Sequence, residues 1–270
     1  MPHGETWFSF FGIDALSHWL STTFGPSYLE HNPHLSAQHV VAFAAVILAL
    51  CGVGFFVKRY ASNAQAAIVP HDRLNPVSFI ELMTSTVYNM MADIMGRKPA
   101  KFFLPLIGTC AFVIFFSNAL GLIPGFMPPT DNLNTTWAMA IVIFFATHIF
   151  GIKEQGLKHY VAHFFGPPMP LPIKIVIGPL LFVIEMISHL VRPVTLAVRL
   201  TANMFADHLV LSIFVGLFAG IAVLAPSWFF VPVPVVMYLM GCIVVTVQTL
   251  VFCLLSTVYI AMAIEHSEEH

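Results

Sequence analysis

An all-α integral membrane protein is the fold class that the sequence predicts, and three observations predict it. The chain is 58% hydrophobic and only 9% charged, whereas soluble domains carry about 25% charged residues. Its mean hydropathy is +0.86. The apolar residues gather in runs long enough to cross a bilayer, which needs about 20 residues of helix. The basic residues stand at the ends of those runs rather than within them, with two exceptions, Arg192 and Arg199. The order of runs reads as an N-terminal span, an amphipathic interfacial helix, a helical hairpin and two overlong apolar stretches. Residues 1–36 form an N-terminal external segment, and 37–270 a single transmembrane domain.

The external segment mixes aromatics with His3, His18, His31 and His34 and has no Lys or Arg. Phe8 to Leu20 is expected to form a short interfacial helix. The histidine spacing matches no metal-site pattern, so these residues read as solvated. No positive n-region precedes an early apolar stretch, so no cleavable signal is expected. The first span runs over 39–57 and stops at Lys58-Arg59-Tyr60, a charged and aromatic end of the kind that sits at the membrane interface.

Asn75-Pro76 reads as an N-cap with proline in the first helical position. In the helix that follows, 75–96, Val77, Ile80, Met83, Val87, Met91 and Ile94 recur at helical spacing. Glu81, Tyr88, Asn89 and Asp93 make it too polar to span, so it is expected on the membrane surface or against another subunit. The second span covers 102–123, with Pro105 in its first turn and Asn118 near its far end. Pro124-Gly125 breaks it. A third span, 136–152, completes the hairpin and contains His148. The connection that follows is rich in proline. His159 and His163 stand four apart there without a third ligand, and no metal site is expected.

Residues 173–224 and 228–264 each exceed an upright span, so each either splits in two or forms one long tilted helix. Pro193 interrupts the first. Cys51, Cys110, Cys242 and Cys253 lie singly in apolar segments and read as small core residues, with no disulfide framework. Lys58, Arg59, Arg73, Arg97, Lys98, Lys101, Lys153, Lys158 and Lys174 fall in two loops on one side, which the positive-inside rule makes cytoplasmic. The N-terminus is then outside and, if the last two runs each cross once, the C-terminus inside. No basic tract points to nucleic acid, and no Gly-x4-Gly-Lys-Ser/Thr loop is present to hold a nucleotide.

The functional residues concentrate between Glu185 and His208. Glu185, His189, Arg192, Thr195, Arg199, Asn203 and Asp207 recur every three or four residues, which places them on one helical face. A charge at the bilayer centre costs about 3 kcal/mol on insertion scales, so these residues need a use that offsets the cost. Arginine cannot lose its proton in a protein, which suits Arg199 to be a fixed charge rather than a proton carrier. Glu185, Asp207 and the histidines can titrate and line a proton path. Arg199 and Asn203, one turn apart, address the same partner, and Gln248 is the candidate to hold Arg199 from a facing helix. Arg192 reads equally well as a snorkelling anchor, and His148 as a packing residue. Thr246, Thr249, Ser256 and Thr257 carry less information, because such hydroxyls bond to their own helix backbone.

Several motifs together resemble subunit a of F-type ATP synthases. They are Arg199-Leu-Thr-Ala-Asn203-Met-Phe-Ala, Phe116-Ser-Asn118-Ala-Leu-Gly-Leu-Ile-Pro-Gly125, Pro129-Thr-Asp-Asn-Leu-Asn134-Thr-Thr, Gln248, and the closing Ser-Thr-Val-Tyr-Ile-Ala-Met-Ala. Glu185 also stands at the family's position fourteen before the arginine. The resemblance runs from about residue 37 to the end and implies the fold and the function together. The two overlong runs become long, strongly tilted helices packed against a rotating ring of c subunits. Two offset aqueous half-channels meet the ring on either side of Arg199, coupling proton flow to ring rotation and ATP synthesis. Partners are then the c-ring, peripheral-stalk b subunits and lipid, with one copy of the chain per complex, in a bacterial inner membrane. The chain itself is expected to be non-catalytic and to need no cofactor. One departure stands out. The family often places a carboxylate and a histidine as a facing pair nine residues after the arginine and seven before the glutamine. Here those positions are His208 and Gly241; Asp207, turned by about 100° from His208, is one candidate for the carboxylate, and Glu185 and His189 are others.

Two other readings compete. A secondary transporter with an intramembrane charged site would be expected to show paired repeats with broken helices, and none is visible. A structural anchor leaves Arg199, Glu185 and Asn203 unexplained.

Overall fold

The computed structural model describes residues 36–61, 76–123, 126–157, Tyr160, Phe164, 171–222 and 232–265. The expectations for the N-terminal segment, for Pro124-Gly125, for Arg73 and Lys158, and for His159 and His163 lie outside these. The described residues form six principal helices and no strand: α1 (Ser36–Ala61), α2 (Pro76–Met95), α3 (Arg97–Gly121), α4 (Leu133–Gln155), α5 (Leu171–Ala222) and α6 (Pro232–Glu265). A 3-10 turn, Pro129–Asp131, lies between α3 and α4. Five helices are long and apolar enough to span, namely all but α2.

α2 begins at Pro76, in the helical position that the sequence predicts for it. Val77, Val87 and Met91 are its buried stripe. That stripe packs on α3 and α6 of the same chain. Gly96, at φ 80°, separates α2 from α3. α3 starts at Arg97, so Pro105 lies well inside the helix rather than in its first turn. The charged residues before Phe102 continue the helix instead of ending it, and Thr109 Oγ1 donates to the Pro105 carbonyl at 2.6 Å.

Asn132 caps α4, its Oδ1 accepting from the Asn134 N–H at 2.9 Å. The hairpin expectation also needs refinement. α3 and α4 pack chiefly on other helices: α3 on α2 and α6, α4 on α5 and α6. α6 is thus the central element. Both overlong runs are single helices, and neither Pro179 nor Pro193 interrupts α5. A proline costs its helix one hydrogen bond, and in a bundle the freed carbonyl is re-satisfied by neighbouring groups.

Lipid tails are as apolar as leucine, so burial between spanning helices gains packing rather than dehydration. Close approach therefore matters most. Ala100, Ala111, Ala140 and Ala197 are fully buried at the contacts between helices, where small side chains let backbones come together. Around them pack Ile114, Ile143, Leu200, Met204 and Phe252 in one cluster. Met91, Phe103, Ile107 and Ile260 fill the other. Cys110 and Cys253 lie in these cores as expected, but Cys51 and Cys242 are exposed.

Three contacts fix the helix directions. Phe102 meets Phe150 edge-on at 5.5 Å, so the start of α3 lies beside the end of α4. Gln155 Nε2 donates to the Ala263 carbonyl at 2.8 Å, which brings the end of α6 to the same side. His39 Nδ1 lies 3.4 Å from Asn132 Nδ2, which puts the start of α1 at the opposite end. Lys58, Arg59, Arg97, Lys98, Lys101 and Lys153 therefore share one end of the bundle.

Candidate functional site

The polar stripe of α5 divides into three environments, because its residues drift around the helix relative to the buried face. Leu196, Leu200 and Met204, four apart, are buried against the core. Arg199, next to Leu200, is turned by about 100° from it and is exposed, as are Thr195 and Asn203. Large apolar side chains flank the arginine on the same open surface, among them Val194, Val198 and Phe205 on α5 and Ile243 and Val247 on α6. Less of α5 than of α6 is buried within the chain. Among the described residues Arg199 has no ion pair and no side-chain hydrogen bond.

Gln248 does not hold Arg199 here. It accepts from Asn203 Nδ2 at 2.6 Å. Gln248 is buried, so it meets the residue one turn further along, and this clasp between α5 and α6 leaves the guanidinium free to face outward. Thr195 Oγ1 bonds back to the Arg192 carbonyl at 3.0 Å. Thr246, Thr249 and Thr257 likewise bond to their own helix, as expected.

Toward the basic end lies a cluster built by α4, α5 and the segment after α4. His189 Nε2 is 3.3 Å from Glu185 Oε1, one turn away. Its Nδ1 is buried without a partner among the described residues. His148 is not isolated: its ring centroid lies 5.3 Å from that of His189 and 6.0 Å from that of Tyr160. His148 Nδ1 donates to the Phe144 carbonyl at 2.8 Å, which leaves Nε2 for another partner. Arg192 lies over the Tyr259 ring at 5.4 Å, close to the optimum for a cation–π contact, and so packs inward rather than snorkelling. His148, His189, Arg192 and Tyr259 line a cavity of about 20 Å³, room for one water molecule. Burial pushes the Tyr160 phenol above its usual range, with Arg192 opposing and Glu185 adding to the shift. Its hydroxyl also lacks a partner among the described residues.

On the other side of Arg199, a second cluster joins α5 to the end of α3 and the following loop. Two glycines make it possible. A methyl group at Gly121 would collide with His208 Nε2 and with Pro128, and one at Gly241 would collide with Leu122 and lie 3.5 Å from Asp207 Oδ2. His208 therefore fills a notch in α3, while the Asp207 carboxylate leans over the bare backbone of α6. Thr201 and Thr136 share a hydrogen bond of 2.7 Å, and Thr130 Oγ1 donates to Asn118 Oδ1 at 2.5 Å. Asp207 thus lies beside Gly241 and His208 beside Gly121, and Asn118 stands one turn before that glycine on α3.

Tyr160 escaped sequence reasoning, and Tyr259, Thr201 and Gly121 entered it only inside motifs, with no role of their own. A tyrosine in a loop and a threonine in a helix carry no signal by themselves, and a glycine notch is visible only once its occupant is placed.

Comparison with known proteins identifies the family of the chain. The family model for the ATP synthase A chain matches residues 40–261. ATP synthase subunit a of Sorangium cellulosum is 47% identical over 204 residues, 76% of this chain and 73% of that one. Subunit a of Trichlorobacter lovleyi is 41% identical over 240 residues, covering 89% and 93%. Subunit a of Bdellovibrio bacteriovorus is 36% identical over 228 residues, covering 84% and 92%.

Proposed function

The chain belongs to the ATP synthase A chain family, a proton-translocating membrane subunit of the F-type ATP synthase, and from that premise we propose how its residues work. Arg199 faces the proton-binding carboxylates of a c-ring that lies against the open face of α5 and α6. The observation that carries this reading is the unpaired, outward-facing Arg199, set in apolar surface and left free by the Asn203–Gln248 clasp. An arginine at mid-bilayer costs about 3 kcal/mol. A carboxylate about 4 Å away returns about 4 kcal/mol at an effective dielectric constant near 20, so a ring site passing in ionised form makes the charge sustainable. A protonated site gains nothing comparable and is not drawn in.

The two polar clusters then serve as half-channels. His189 and Asp207 lie about 15 Å and 12 Å along α5 from Arg199, in opposite directions. The basic end is cytoplasmic by the positive-inside rule, with the start of α1 outside and the end of α6 inside. Asp207 and His208 pass protons from the outer side to the ring. Glu185 and His189, with His148 beside them, receive protons on the inner side through the cavity near Arg192. The fixed charge of Arg199 keeps a proton from crossing directly between them. Ring rotation is driven by the membrane potential and pH difference, at about 2.3 kcal/mol per charge per 100 mV. The chain carries out no nucleotide chemistry itself. It stands in the bacterial inner membrane, one copy per complex, with c-ring and peripheral-stalk b subunits as neighbours.

Cysteine cross-linking in the assembled complex tests the docking face. Thiols introduced at the exposed positions Val198 and Phe205 are expected to cross-link to thiols on the outer ring helix, and thiols at the buried positions Leu200 and Met204 are not. Cross-links confined to the buried pair, or none from the exposed pair, would overturn the assignment.

A further inference from the structure

Resting on the half-channel reading above, we propose that Asp131 is an additional proton-accepting group of the outer route, taking protons at its mouth and passing them inward toward His208. The 3-10 turn that carries it packs against α1, α3, α4 and α5 together. It is therefore wedged among the spanning helices rather than looped over them. Pro129 and Thr130 are buried, and Asp131 is half-buried with its Oδ1 fully enclosed and unpartnered among the described residues.

Ordinary structural uses of an aspartate at this place are already taken or missing. The cap of α4 is supplied by Asn132, not Asp131. No lysine or arginine occurs anywhere from Phe102 to Ile152, and the described basic side chains of the other helices, apart from Arg192 and Arg199 within α5, lie at the far end of the bundle. The carboxylate thus has neither a capping role nor a cation from this loop or its flanking helices.

Its surroundings lead inward. Thr130, the next residue, is bonded to Asn118. Among the described residues the Asn118 amide nitrogen is buried without a partner, and so is the hydroxyl of Ser117, its neighbour in sequence. Such groups are ordinarily satisfied, and an amide donor, a hydroxyl and a carboxylate oxygen left unpaired are the partners that buried water takes. Three residues along α3 from Asn118, Gly121 holds His208. The titratable groups on the elements packed around the turn are His39 on α1, which contacts Asn132, and Asp207 and His208 on α5. α3 and α4 present only neutral side chains at this end. Burial raises the Asp131 carboxyl to about 6, so it exchanges protons close to neutral pH. In each passage the carboxylate takes one proton from outer water, gives it up to the inner water line, and is regenerated.

The test uses the complete ATP synthase in liposomes. ATP synthesis is measured while the pH on the proton-source side is varied, with potential and pH difference held constant. The wild type is expected to lose rate as source-side pH rises through about 6. Asp131→Asn is expected to lack that limb, and Asp131→Glu to restore it with the midpoint raised by about 0.4 units, the difference between the two side chains. An Asp131→Asn enzyme with the wild-type rate and profile overturns the proposal, provided that Arg199→Ala abolishes synthesis in parallel. If Arg199→Ala also leaves synthesis intact, the underlying half-channel reading fails with it. Should Asp131→Asn not assemble, Asp131→Glu decides alone: a displaced midpoint supports the role, and an unmoved one excludes it.

Discussion

Arg199 keeps its charge at any pH, so its effect depends only on where it points and what it meets. The sequence identifies it, together with Asn203, Gln248 and Glu185, because polar residues in apolar helices are conspicuous. Which of them touch is not legible there. Arg199 and Asn203 lie one turn apart on α5, and only the height of α6 beside them decides that Gln248 takes the asparagine. Hydrogen bonds between membrane helices average about 0.6 kcal/mol in double-mutant cycles. Asn203→Ala and Gln248→Ala are therefore each expected to destabilise the chain slightly, with a coupling of about that size between them, measured by unfolding in detergent. A coupling of zero would mean that the clasp seen here is not maintained. Asp131 has its own stability signature. Its carboxyl is raised, so the folded state holds the proton more tightly than the unfolded state. That contribution is fully present below the ordinary aspartate value, near 4, and is lost as pH rises to about 6. Asp131→Asn is expected to remove this slope from a stability–pH curve.

At the scale of the element, helix type and order are readable from periodicity, and the ends are less so. α3 begins five residues before the expected start, because Arg97, Lys98 and Lys101 can extend a helix beyond hydrocarbon into the interface. α5 runs through Pro193 because packing on α4 and α6 holds the helix together where a peptide in water would break. Gly96 is the exception that fixes a boundary. At φ 80° and ψ 163° it occupies backbone territory nearly exclusive to glycine, and nothing lies within 4 Å of where a methyl would stand. Gly96→Ala therefore isolates backbone strain, with an expected cost of about 1–3 kcal/mol, visible as a lowered midpoint of thermal unfolding. An unchanged midpoint would show that the α2–α3 corner relaxes freely.

For the whole molecule, the basic residues at one end and the open face of α5 and α6 explain each other. α5 spans 52 residues, about 78 Å of helix, more than twice what an upright crossing of a hydrocarbon layer of about 30 Å needs. A pair of helices with one surface left bare presents Arg199 to a neighbour, with one titratable cluster on each side. Hydropathy alone leaves a split of each long run open, and the continuity of the helices closes it. The central claim is that proton flow is coupled to ring rotation through this one fixed charge. Arg199→Ala in the reconstituted ATP synthase, driven by an imposed proton gradient, tests it most directly. ATP synthesis should be lost while the ring sites, no longer separated by a cation, let protons leak passively across the membrane. Synthesis at the wild-type rate in a tight membrane would contradict the account.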